Sequence, residues 1–190
     1  MLQKKLLKTI KTYSLTAAIA LSAGGLIAPG MASANSGMDD LKKVLQSQIN
    51  MMKPELQSKV KDLSTDTKMS IMAILAMHSR VSDQATLRQV MLEVLSDYQT
   101  MTMGIMTDSS EMTADAARRL ANHRIPVGGL LPYLGLENIN DGKLAVLESF
   151  NDSVEGNAIK LAEAADKGNM GEAAALLGQI SSGCVGCHAV

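Results

Sequence analysis

Near the end of the chain, apolar or small residues fall at Met170, Ala173, Leu177, Ile180, Cys184 and Cys187, at intervals of 3, 4, 3, 4 and 3. That spacing draws one stripe along a helix in heptad phase. A helix so striped cannot bury its face alone, so it demands partner helices. Lys167-Gly168-Asn169 supplies the break before it. A second stripe runs Leu144, Leu147, Asn151, Val154, Ala158, Leu161 and Ala165, polar only at Asn151, with Asp141 as the expected N-cap. A third runs Leu87, Met91, Val94, Tyr98, Met101 and Ile105; Ser82-Asp83 is its start signal and residues 107–110 its stop. A shorter helix is predicted from about Glu111 to His123, ending before Pro126. Residues 125–140 contain Pro126, Pro132 and several glycines and read as a long loop, with one helical turn near Leu130. Residues 82–190 therefore predict an all-α, up-down four-helix bundle.

Composition agrees. Aromatic residues make up 2% of the chain, with no Trp, whereas Ala, Leu, Met, Lys, Glu and Gln abound. These are helix formers, which argues against a β-sandwich or barrel. Residues 35–81 form a helical extension outside the bundle pattern. Asp39–Ser64 is amphipathic and split or kinked at Pro54, and Met69–Arg80 is a further helical run, open to continuing into the next helix. There is no internal repeat, and no basic patch with interleaved aromatics, so nucleic-acid binding is not expected.

The N-terminus reads as an address. Lys4, Lys5, Lys8 and Lys11 lead into an apolar stretch from Ser14 to Ala28, followed by Pro29-Gly30 and Met31-Ala32-Ser33-Ala34. This is the pattern of a signal peptide, residues 1–34, cleaved after Ala34. The apolar run is short and broken by Gly24-Gly25 for a membrane anchor. The expectation is an exported protein, and removal of the four lysines leaves acids in excess.

The chemistry concentrates at Cys184-Val185-Gly186-Cys187-His188, the C-x-x-C-H spacing of c-type haem attachment. On a helix, positions i, i+3 and i+4 share a face, so both thiols and the imidazole project together. These are the only two cysteines of the chain. A thioredoxin-like C-x-x-C would need a βαβ setting, for which there are no strands. An i,i+3 disulfide would constrain almost nothing. A zinc site would need further Cys or His ligands, and only His78 and His123 remain.

A haem motif at the extreme C-terminus of a four-helix bundle resembles the class II cytochromes c, the cytochrome c′ family. The resemblance covers about residues 82–190, including Val90-Met91-Leu92, Met101-Thr102-Met103, Ala116-Ala117 and Ala121-Asn122-His123. It implies one covalent haem c held by Cys184 and Cys187, with His188 as the proximal iron ligand. In the six-coordinate members a methionine of the first bundle helix is the distal ligand, which puts Met91 in that role here. Met101 and Met103 are weaker alternatives, and core packing is the plain reading for any methionine on an apolar stripe. Met51, Met52, Met69, Met72 and Met77 crowd the extension, where they could fold over the haem. His78 reads as a helix-surface or helix-end histidine, with a distal haem ligand as the lesser alternative, His123 as a cap for the last carbonyls of its helix ahead of a haem role, and Tyr98 and Phe150 as core or haem-pocket aromatics. Only Ala189 and Val190 follow the motif, whereas the relatives usually continue their last helix, often with a basic residue.

The resemblance implies a periplasmic, non-enzymatic carrier passing single electrons between periplasmic or membrane-bound redox proteins. The extension then offers a surface for a homodimer or a redox partner. The alternative is a five-coordinate haem protein binding NO or CO, if Met91 is only core.

Overall fold

The computed structural model describes residues 30–189, with the side chains of 39–189. Among them the regular elements are helical, and the single β contact is an isolated parallel bridge between Val81 and Ile125. The lysine-led segment, residues 1–29, lies outside the described residues. The expected cleavage residues Met31–Ala34 fall within the first helix, which starts earlier than the amphipathic pattern at Asp39 indicates.

The bundle is built from α4 (Leu87–Met106), α5 (Ser110–Ala121), a broken third rod, and α9 (Met170–His188). The rod comprises α6 (Asp141–Leu144), α7 (Leu147–Asn151), a π-helical turn (Asp152–Gly156) and α8 (Asn157–Asp166). Three-residue connections join α4 to α5 and α8 to α9, whereas residues 122–140 make the one long connection, from α5 to the third rod. The start of α4 differs from the sequence expectation. Thr86, not Ser82-Asp83, is the N-cap, in a capping box where Gln89 returns a bond to the Thr86 backbone. Ser82 instead closes a turn by accepting from the amides of Gln84 and Ala85. Likewise Asn140, not Asp141, caps α6. The Asp141 carboxylate accepts from the Ser64 amide and so ties the third rod to the extension.

The third rod is not one continuous α-helix. Asn157 turns its side-chain amide back to the Ser153 carbonyl, and Ser153 bonds the Phe150 carbonyl. Side-chain bonds of this kind compete with the α-ladder. Together with Gly156 they accommodate the widened π turn, a feature often found at functional positions.

Packing explains the rest. The main core is dominated by small residues, among them Ala114, Ala117, Ala158, Ala165 and Ala173, filled out by Met101, Leu120, Leu161 and Ile180. Alanine at the contact lets helix axes approach closely. The extension comprises α1 (Gly30–Asn50), α2 (Pro54–Asp62) and α3 (Thr65–Ala76), so the chain does break at Pro54. α3 does not continue into α4; residues 77–86 cross between them. The extension packs its own core of Met52, Leu56, Val60 and Leu63 against Leu131, Ile139 and Leu144. Its cover is thus α6 together with the 125–140 loop, which holds two 3₁₀ turns, Leu131–Tyr133 and Leu136–Asn138.

Candidate functional site

α9 carries its stripe to the C-terminal end of the bundle. Ala173, Leu177 and Ile180 are fully packed, Cys184 is half-buried against the main core, and Cys187 and His188 are exposed. The same face that is core at Ile180 is therefore uncovered one to two turns later. Both cysteines are free thiols. On the adjacent face α9 lies tight against the π turn. A Cβ at Gly183 would come within 2.7 Å of the Ser153 hydroxyl and 2.8 Å of Val154, and one at Gly186 would touch the Phe150 ring at 3.4 Å. The two glycines of the motif region thus let α9 approach the third rod while Cys184, Cys187 and His188 stay turned to the open side.

Both thiols have raised pKa values, first because burial disfavours the thiolate and then because the Glu155 carboxylate repels it. Protonated thiols are poor redox nucleophiles and poor zinc ligands. Two free thiols and an imidazole thus lie together at the end of α9, Cys184 half-buried and Cys187 and His188 exposed.

Tyr98 on α4 bonds Ser181 on α9 through their hydroxyls, which registers the two antiparallel helices. Seven residues further along each, about 10.5 Å, are Met91 and His188, at the same level of the bundle. Met91 is half-buried there. The two alternatives separate: Met101 is 0% exposed in the middle of the main core, and Met103 is 53% exposed to solvent. Phe150 is half-buried beside Gly186. In the extension Met52 and Met72 are core, while Met51, Met69 and Met77 are exposed.

The histidines depart furthest from expectation. His78 is not a surface residue but 5% exposed, and His123 is not a helix cap. α5 stops at Ala121, and His123 points its Nδ1 at the Arg124 carbonyl, 2.8 Å away, and its Nε2 at Glu155, 3.1 Å away. The two rings pack with centroids 4.6 Å apart. The crossing that follows α3 runs beside the chain leaving α5, by Ile125 N–H to the Arg80 carbonyl and Ser82 N–H to the Ile125 carbonyl. Asn122 adds side-chain bonds to Ser79. A sequence signal existed only in part. Each histidine stands two residues before the paired positions Arg80 and Ile125, but nothing local reveals that pairing. Burial lowers the His78 pKa, in the main. Burial also works to lower that of His123, but the Glu155 hydrogen bond and the Arg124 carbonyl outweigh it, and the net shift is upward.

No helix among the described residues is long and apolar enough to cross a membrane. No protein-family model, curated protein or solved structure matches the chain.

Proposed function

We propose that this protein is an exported monohaem c-type cytochrome that passes single electrons between redox partners. The observation that carries the reading is the uncovered end of the α9 stripe, where two free thiols and His188 share one face. Bound haem supplies a one-electron Fe(III)/Fe(II) couple. Cys184 and Cys187 would each add a thiol across a haem vinyl group, forming two thioether bonds. His188 would offer its imidazole from the proximal side. Met91, on α4, would offer a soft thioether as the second protein ligand, a ligand type that raises the reduction potential. The Ala-rich packing of the bundle limits rearrangement around the site, which favours fast transfer. Export rests on the N-terminal lysine and apolar pattern, and an oxidising compartment suits the attachment chemistry. The acid excess of the mature chain favours partners with basic docking patches.

The test is an absorption spectrum of the protein expressed with export and haem-attachment machinery, ferric and ferrous, with and without CO. Covalent haem in the wild type and its loss in Cys184→Ser/Cys187→Ser is the expected result; a haem-free wild type overturns the reading. A low-spin spectrum that turns high-spin and CO-reactive in Met91→Ala assigns the distal ligand. A wild type already high-spin and unchanged by Met91→Ala would replace electron transfer by NO or CO binding.

A further inference from the structure

A second constellation uses none of the residues of the thiol–imidazole motif, although its Glu155 carboxylate also repels the α9 thiolates. His78, His123 and Glu155 each bring one donor atom to within 4.8 Å of the other two. They come from three separate segments: the crossing after α3, the chain just past α5, and the π turn of the third rod.

The ring orientations are informative. A carbonyl oxygen can only accept, so Nδ1 of each histidine must be the protonated nitrogen. His78 Nδ1 donates to the Ile74 carbonyl at 2.9 Å, and His123 Nδ1 donates to the Arg124 carbonyl at 2.8 Å. In the neutral rings this leaves the Nε2 lone pairs directed away from those carbonyls. Such backbone bonds are how metal-ligating histidines are held in one tautomer. His78 Nε2 is buried and has no hydrogen-bond partner, and the same is true of Glu155 Oε2. A buried nitrogen lone pair and a buried carboxylate oxygen without partners are costly. His123 Nε2 and Glu155 Oε1, two acceptors when the ring is neutral, face each other at 3.1 Å. One of two things resolves that contact: a proton on His123, or a cation between them.

We propose that His78, His123 and Glu155 form a binding site for one divalent transition-metal cation of the zinc class. Two imidazole nitrogens and one carboxylate oxygen make a borderline donor set suited to that class. Zinc–ligand distances of about 2.0–2.1 Å put neighbouring donors about 3.3 Å apart, so small side-chain rotations close the site. The orphaned His78 Nε2 then gains a partner, and the unfavourable facing of His123 Nε2 and Glu155 Oε1 is relieved. Water completes the coordination, since three protein ligands leave a position open. The cation ties the extension, through His78, to the bundle, through His123 and Glu155. Its position on a π turn gives that irregularity a reason.

The site is tested in the full chain carrying Cys184→Ser and Cys187→Ser, so that neither thiols nor haem contribute. Zn(II) chloride is titrated by calorimetry after removal of metal with a chelator, and Co(II) is used as a spectroscopic probe. The expected result is one Zn(II) per chain, a thermal midpoint raised by zinc, and visible Co(II) d–d bands without thiolate charge transfer. His78→Ala and Glu155→Gln should each weaken zinc on the order of 100-fold or more, with helical circular dichroism retained. Glu155→Gln keeps the side-chain shape and serves if His78→Ala does not fold. Wild type as isolated, assayed for metal by mass spectrometry, covers the case where the serine variant itself does not fold. One equivalent of bound zinc that Glu155→Gln removes supports the site. No stoichiometric metal in either protein, or binding unaffected by Glu155→Gln, overturns it and leaves a protonated His123–Glu155 ion pair.

Discussion

The two cores of this molecule are built differently. The bundle core joins helices through alanines, with only a few large side chains between them. The extension core is made of larger side chains, Met52, Leu56, Val60 and Leu63, pressed against Leu131 and Ile139 of a loop and Leu144 at the start of the third rod. The first kind of packing follows from periodicity within each helix. The second depends on where a loop with Pro126 and Pro132 happens to lie. The bundle should therefore be the rigid frame that positions the α9 site, and the extension a less strongly held unit tied on through Asp141 and the His78 crossing.

Truncations of equal chemistry in the two cores would break or sharpen that contrast. Leu161→Ala in the bundle, at 0% exposure, is expected to cost about 3–5 kcal/mol, because rigid helices cannot close the cavity. Leu63→Ala in the extension is expected to cost less, about 2–3 kcal/mol, because the loop can settle inward. Urea denaturation of both variants measures the difference. Equal costs with a single shared transition would show one cooperative unit and remove the distinction. Next in size is Gly104→Ala. A Cβ there would stand 2.9 Å from the Thr113 backbone nitrogen, forcing α4 from α5 at a cost of roughly 1–3 kcal/mol. Retention of full stability would mean the helix pair is less tightly packed than the bundle reading requires.

Smaller still is Thr86→Ala, which removes the capping box at the start of α4 and should cost about 1 kcal/mol. Its effect should appear in the bundle transition rather than in any separate melting of the extension. The smallest expected effect is electrostatic. Arg124 hydrogen-bonds the Glu93 carboxylate and holds its pKa below the ordinary 4.5. A depressed carboxyl pKa adds stability above the unfolded value and loses it as pH falls through the folded one. Wild type should thus lose slightly more stability than Glu93→Gln on acidification below about pH 4.5. The pair is substantially exposed, so salt should diminish the difference. Identical acid profiles would remove any role for it in joining α4 to the chain after α5.

Much of the bundle was legible in the sequence. Stripes at three- and four-residue steps predicted α4, α8 and α9 and the inward faces of α8 and α9, because helical periodicity is a local property; on α4 the stripe through Leu87 and Met91 missed the buried Val90. The Pro54 break and the Cys184–Cys187–His188 face were legible for the same reason. The caps at Thr86 and Asn140 were misjudged by a few residues, since several Ser, Thr, Asp and Asn compete near each start and tertiary contacts choose between them. Asp141 shows this directly: the Ser64 amide, far away in sequence, claims its carboxylate.

By itself, then, the sequence determined an all-α chain, the faces its helices bury, and the thiol–imidazole spacing at the C-terminus. Tertiary structure alone decided two things: the partner of the extension core, and the meeting of His78, His123 and Glu155. The physical reason is range. Periodicity and spacing act within a few residues, whereas the approach of His78 to His123 follows the backbone pairing of the Arg80 and Ile125 segments, which no local pattern encodes.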